Sequence, residues 1–169
     1  MVLPDEARRT VVSYLTHQGK KDVSALVEVI ERERRRLLDL LADVSQEQAE
    51  SAPAPGQWCI REIVEHVVAA ERGVLAVIAR LAGVAAPPER GPAAGRSLAE
   101  LRKDLASVRA QLQVLVRDLP QDASLDAKHD HLFFGPLNWK EWLAFQRVHD
   151  GDHIDQIEAV QRSPSYPKA

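Results

Sequence analysis

Residues 60–78 of the chain read IREIVEHVVAAERGVLAVI, and this stretch decides the fold class. Its apolar residues recur every three or four positions, the spacing that places side chains on one face of an α-helix. Gly83 and the pair Pro87-Pro88 then end the pattern. The sequence therefore predicts one long amphipathic helix that begins near Cys59 or Ile60 and ends near Ala82.

The same helical spacing recurs on both sides of this stretch. It is present in residues 22–44, 97–119 and 138–161, and a shorter version in residues 4–16 predicts a leading helix. No strand-like alternation is present anywhere. The prediction is an all-α chain, a four-helix bundle with a short extra N-terminal helix.

Capping and breaking residues support these boundaries. Ser97 and Glu100 have the spacing of a capping box at the start of one helix, and Pro120 stops that helix at its other end. We divide the chain into residues 1–21, an N-terminal extension, residues 22–162, the bundle, and residues 163–169, a loose tail.

Size and composition indicate one ordinary globular domain. The 169 residues are 45% hydrophobic and 28% charged, enough apolar material for a buried core. The net charge of -3 disfavours nucleic acid as a partner, and no apolar run approaches the roughly 20 residues of a membrane helix. With a single cysteine and no secretion signal at the amino terminus, we expect a cytoplasmic protein.

The run Arg34-Arg35-Arg36 could be a phosphate site. It lies beside Glu31, Glu33 and Asp39, however, which offer offsetting partners on the same helix. We therefore expect the run to lie on a solvated helix face.

Histidines carry the candidate chemistry. His149 and His153 are four residues apart, so their side chains project within roughly 40° of each other from one face of the last helix. That face also carries Trp142 and Ile157, which directs it toward the bundle interior. His66 lies at the edge of the apolar stripe of the second long helix. Three inward histidines on two helices could hold a metal ion or could be hydrogen-bonded core residues.

A zinc-peptidase motif is disfavoured by the residue that follows the first histidine. That motif needs a glutamate there as general base, whereas this chain has Asp150 between His149 and Gly151.

Two segments resemble motifs of the DinB-like (YfiT-like) metalloenzymes. One is QWCIREIVEH at residues 57–66, and the other is HDGDHIDQI at residues 149–157. Residues 131–143 are also similar to a subgroup of the family, and the resemblance spans residues 22 to 161. The matching positions are Trp58, Glu62, His66, His149, His153, Gln156 and Ile157.

The resemblance implies a fold, a site and a class of reaction. The fold would be a four-helix bundle with an up-down-down-up order, and His66, His149 and His153 would ligate nickel, zinc or a related divalent ion with one position left open. The activity would be that of a thiol-dependent transferase that uses a low-molecular-weight thiol and a small-molecule substrate. Relatives often dimerise, so a homodimer is expected.

Two alternatives to the transferase remain open. The same site could catalyse metal-dependent hydrolysis with water as the nucleophile. Alternatively, the chain could be a non-enzymatic stress-response binding protein in which the metal is structural or the histidines merely pack.

Four further residues raise separate questions. Cys59 stands where similar sequences usually have a serine cap; it could be a nucleophile at a helix start, but a buried filler is the expectation. His131, and less so His129, could reach the open position as an acid or base. Gly151 weakens the last helix by about 1 kcal/mol or marks a close approach of another chain segment.

Overall fold

The computed structural model describes residues 4–88, 91–120 and 122–168. Six helices and a two-stranded hairpin lie within these ranges. Four of the helices are long and α1 is the short N-terminal one, so the predicted four-helix class is confirmed. The elements are α1 Asp5–Gln18, α2 Val23–Leu41, α3 Gln46–Glu50, α4 Ile60–Ala82, α5 Leu98–Asp118, β1 His129–His131, β2 Gly135–Leu137 and α6 Trp139–Gln161.

The four long helices, α2, α4, α5 and α6, form the bundle, and α6 is its central member. It packs against α2 on one side and α4 on another, while α4 also packs against α5. The apolar stripe predicted for α4 faces this core, because Ile60, Val64 and Ile78 are all fully buried. Each such side chain contributes about 1.5–3 kcal/mol by leaving water, so burial of this stripe holds α4 against its neighbours.

Capping residues fix where the bundle helices begin. The predicted box before α5 is present: the Ser97 hydroxyl accepts from the Glu100 amide at 3.3 Å, and Glu100 accepts from the Ser97 amide at 2.8 Å. Asn138 caps α6 by accepting hydrogen bonds from the amides of Lys140 and Glu141. This cap fixes the start of the helix that carries two of the three site histidines.

The short helix α3 was not predicted, and the expectation that no strand is present is wrong in one segment. A capping box between Ser45 and Gln48 starts α3 directly after α2. Strands β1 and β2 pair antiparallel, with His129 opposite Leu137 and His131 opposite Gly135. Strands of three residues are too short to display an alternating pattern, so the sequence could not reveal them.

Described segments near both ends of the chain contact the bundle. Helix α1 packs on α6 and buries Leu15 completely. At the other end, Tyr166 packs against the core, and the carbonyl of Pro167 accepts a hydrogen bond from the Gln48 amide group at 3.0 Å. The three-part division of the chain stays a prediction.

Among the described residues, no helix is both long and apolar enough to cross a membrane.

Candidate metal centre

The three candidate histidines meet where α4 and α6 pack together. The Nε2 atoms of His149 and His66 are 3.3 Å apart, and those of His153 and His149 are 3.1 Å apart. His153 is buried, whereas His66 lies closest to solvent. Within the described part of the chain, this is the one group of three or more His, Cys, Asp or Glu side chains whose potential ligand atoms all lie within 4.8 Å of one another.

A chain of hydrogen bonds orients His153. Its Nδ1 lies 3.0 Å from Oε1 of Gln156, and the Gln156 amide group donates to Asp152 Oδ2 at 2.9 Å. Because Gln156 donates to Asp152, its oxygen must accept from His153, which places the ring proton on Nδ1. The Nε2 lone pair of His153 then points at the other two imidazoles, as in histidines that ligate metals.

Hydrogen bonding within the triad can satisfy only one of its two short contacts. His153 Nε2 carries a lone pair and no proton. His149 Nε2 therefore either carries a proton and donates it to His153, or also carries a lone pair. If His149 donates, it has no lone pair left for His66; if it accepts from His66, two lone pairs face each other across 3.1 Å. A bound cation would accept all three lone pairs at once.

Electrostatics keep these imidazoles neutral. Burial lowers the pKa of His149 to about 2, and the nearby His153 and His66 add to the effect. Burial also lowers the pKa values of His66 and His153. Neutral imidazole is the form that binds a metal ion.

The spacing of the nitrogens matches a tetrahedral ion. Two nitrogens bound at about 2.0–2.1 Å to a tetrahedral zinc ion lie about 3.3–3.4 Å apart, close to the two short contacts of the triad. The residues present therefore fit a divalent ion held by three histidines, which leaves a fourth position open.

Aromatic side chains surround the triad. The Trp58 ring lies 5.2 Å from that of His66 and is 49% exposed, and the Phe145 ring lies 5.4 Å from that of His149. A cavity of about 760 Å³ lies beside Trp58, lined by the starts of α4 and α5. Trp58 therefore lines this cavity and also lies beside the triad.

The structure places His131 in this aromatic surrounding and His129 at its edge. His131 stacks on Phe134 at 4.7 Å and meets the Phe145 ring edge-on at 4.5 Å. Its Nδ1 accepts a hydrogen bond from the Phe133 amide at 3.1 Å, and burial lowers its pKa to about 4. His131 is thus a neutral imidazole near pH 7. His129 stacks on Trp142 at 5.9 Å, and its role stays a prediction.

The expectation of a solvated arginine face is wrong for Arg34. This residue is 1% exposed, and its guanidinium binds both oxygens of Asp150 at 2.9 Å and Glu71 Oε2 at 2.5 Å. Arg109 of α5 completes the cluster, 3.4 Å from Asp150 and 3.5 Å from Glu71. These four buried charges connect all four long helices, and no pattern in the sequence distinguished them from surface residues.

Two open questions about single residues are answered by their surroundings. Cys59 is buried, and that burial raises the pKa of its thiol, which supports the filler interpretation over the nucleophile. A Cβ atom added to Gly151 would meet nothing closer than Glu33 Oε1 at 3.8 Å. No close packing therefore requires this glycine, and its helix-weakening cost is the effect that remains.

Solved structures with the same bundle are similar to this chain. TT2238, a four-helix bundle protein, is 26% identical, with a TM-score of 0.66 over 80% of this chain and 98% of its own. YfiT from Bacillus subtilis, described as a probable metal-dependent hydrolase with an unusual four-helix bundle topology, is 14% identical, with a TM-score of 0.64 over 98% and 91% of the two chains. A conserved protein from Enterococcus faecalis is 15% identical, with a TM-score of 0.62 over 84% and 96%.

No curated protein sequence matches the chain. A family model does match it, that of the DinB superfamily, over residues 30–157. This span contains all three site histidines and most of the bundle. The chain belongs to the DinB superfamily.

Proposed function

We propose that this protein is a metal-dependent enzyme in which His66, His149 and His153 bind one divalent ion, nickel or zinc. The observation that carries the proposal is the convergence of three neutral Nε2 atoms whose contacts hydrogen bonding alone cannot satisfy. A cation at that point removes the conflict. The open fourth position would then take a small-molecule nucleophile.

The reaction that we favour is transfer of a low-molecular-weight thiol to an electrophilic small molecule. A divalent ion in the triad would act as a Lewis acid and lower the pKa of a thiol or a water molecule at its open position. The thiolate sulfur would form a bond to the electrophilic carbon, the leaving group would depart with its electron pair, and the thiol proton would pass to solvent.

The surroundings of the triad support a thiol rather than water. Water attack in zinc peptidases uses a carboxylate base directly after the first histidine, but here Asp150 is fully buried between two arginines. Asp152 accepts a hydrogen bond from Gln156. Asp150 is therefore not available to take a proton from water, whereas a thiol on a metal ion would need no separate base.

Metal-dependent hydrolysis is the second candidate. YfiT, which shares the fold, is described as a probable metal-dependent hydrolase, and this description favours water as the nucleophile. In either case we expect a cytoplasmic protein, a small-molecule substrate and a homodimer, without nucleic acid or membrane partners.

Elemental analysis tests the metal site. Untagged wild-type protein, His153→Ala and the control His17→Ala, an exposed histidine of α1, would be dialysed exhaustively and analysed. We expect about one nickel or zinc ion per chain in wild type and control and none in His153→Ala. Metal absent from all three, even after reloading, would refute the proposal and favour a non-enzymatic binding protein.

Turnover of metal-loaded protein separates the two reactions. The probes are 1-chloro-2,4-dinitrobenzene with and without a low-molecular-weight thiol, and 4-nitrophenyl acetate without thiol. Thiol-dependent conversion of the first that is lost in His153→Ala supports the transferase. Thiol-independent hydrolysis of the second, with the same loss, supports the hydrolase.

A further inference from the structure

Arg34 connects the two helices that carry the candidate ligands. From α2, its Nη2 binds Asp150 Oδ1 of α6 at 2.9 Å and Glu71 Oε2 of α4 at 2.5 Å, while its Nε binds Asp150 Oδ2 at 2.9 Å. All three side chains are almost completely buried. One guanidinium thus holds one carboxylate on each ligand-bearing helix.

Both carboxylates lie close in sequence to the ligands. Asp150 directly follows His149, and Glu71 lies five residues after His66 on α4. The paired contact to both Asp150 oxygens is directional, because the planar guanidinium matches a carboxylate only edge to edge. Arg34 therefore restrains how α6 is rotated about its axis beside α4.

Small rotations of α6 matter at the triad. An imidazole at about 5 Å from the helix axis moves by about 0.9 Å for a 10° rotation, whereas metal–ligand distances tolerate only about 0.2 Å. A directional contact that restrains the rotation of α6 therefore bears directly on the alignment of His149 and His153 with His66.

Stability alone is a weak reason for the cluster. Buried ion pairs are often no more stabilising than apolar residues of similar volume, because desolvation offsets their attraction. Within the described residues, Arg34 Nη1 is also buried without a hydrogen-bond partner, a further cost. A directional clamp is a better explanation of why two helices carry these charges inside the core.

We propose that Arg34 is a positioning residue of the metal centre, holding α4 and α6 in the relative orientation that makes the three Nε2 atoms converge. This inference rests on the proposed metal site.

Metal affinity of Arg34→Lys tests the proposal. Lysine keeps the positive charge but cannot bind both Asp150 oxygens side by side. We expect zinc affinity, measured by competition with a chromophoric chelator, to fall about 10–100-fold, as for other groups that orient ligands. The visible spectrum of the cobalt-loaded protein should change as well. Arg36→Lys, on the same helix but with a half-exposed side chain, should match wild type in both measurements.

Two further variants separate positioning from folding. Leu112→Ala opens the core on α5, which carries no candidate ligand, and provides a comparison at reduced melting temperature. It should keep wild-type zinc affinity and the wild-type cobalt spectrum. Glu71→Gln keeps an oxygen acceptor for Arg34 and tests the clamp if Arg34→Lys fails to fold. Glu71→Gln should also lower zinc affinity, by a smaller factor than Arg34→Lys.

Each result has a distinct meaning. A folded Arg34→Lys with wild-type zinc affinity and cobalt spectrum would overturn the positioning role and leave the metal site intact. If Arg34→Lys does not fold, the same result in Glu71→Gln would do so. Equal losses of affinity in Leu112→Ala and Arg34→Lys would also overturn it, since the effect would then follow stability alone. Wild-type protein that binds no zinc would overturn both this inference and the proposed function.

Discussion

At the scale of single residues, Gln156 is the side chain on which the ligand geometry of His153 depends. Its oxygen accepts the Nδ1 proton of His153, which leaves Nε2 free to bind metal. Gln156→Leu removes this acceptor, so we expect zinc affinity to fall about 10–100-fold. The folding free energy should change by less than about 1 kcal/mol, because the residue is only partly buried.

Competition titration against a zinc chelator measures this loss. Gln161→Leu, the same substitution at the end of α6, serves as the control and should bind zinc like wild type. Equal affinities in Gln156→Leu and wild type would show that Gln156 does not orient the ligand.

His131 provides a prediction about pH. Burial lowers its pKa to about 4 in the folded chain, whereas in the unfolded chain it takes up a proton near pH 6.5. Between these values the unfolded state binds more protons, so stability is lost as the pH falls. In the presence of a chelator, the wild type should lose about 1–2 kcal/mol relative to His131→Phe between pH 7 and pH 5.

Urea unfolding of the two proteins at several pH values gives this difference directly, because titrations common to both cancel. A stability difference that is constant between pH 7 and pH 5 would place the His131 ring in solvent. It would also favour His131 as an acid or base near neutral pH.

Some residues of the site could be recognised from the sequence, and others could not. His149 and His153 could be paired because a spacing of four residues on a helix is visible in the sequence. His66 was a candidate from its place at the edge of an apolar stripe, and the family resemblance supported it. Asp150 and Arg34 could not be recognised, because nothing local distinguishes a buried charge from a solvated one. Their burial depends on which helices pack against each other.

At the scale of elements, the helix boundaries came from local chemistry and were predicted well. Helices α4, α5 and α6 begin and end close to the predicted positions, since capping residues, prolines and glycines act over one turn. Helix α3 and the hairpin β1–β2 were missed because five-residue and three-residue elements carry too little periodicity.

Gly73 inside α4 and Gly83 directly after it should respond in opposite ways to the same substitution. Gly73 lies inside the helix with open space at its Cβ position, so Gly73→Ala should stabilise the protein by about 0.5–1 kcal/mol. Gly83 ends the helix with φ of 73°, so Gly83→Ala should destabilise it by about 1–2 kcal/mol. Chemical denaturation of the two variants beside wild type measures both, and shifts of the same sign would contradict the assigned end of α4.

At the scale of the whole molecule, the fold class follows from the apolar stripes, but the relative placement of the helices does not. Each stripe shows that a helix has a buried face without showing which helix lies against it. The cluster of Arg34, Glu71, Asp150 and Arg109 results from that placement, as does the approach of His66 to His149. Spacing on α6 alone could not show which residue of α4 would stand opposite.

Because the ligands come from two helices far apart in sequence, metal binding should stabilise the entire bundle. Binding to the folded state at a free ion concentration of 100 times Kd adds about 2.7 kcal/mol. For a chain of this size, that corresponds to a rise in melting temperature of roughly 5–11 °C. Differential scanning fluorimetry of metal-free protein with added zinc or nickel should show this rise, and magnesium, which prefers oxygen ligands, should not cause it. His66→Ala should remove most of the shift although His149 and His153 remain, because two histidines bind the ion more weakly than three. A shift that persists in full in His66→Ala would mean that the ion binds to α6 alone, and the site would then not join the two helices.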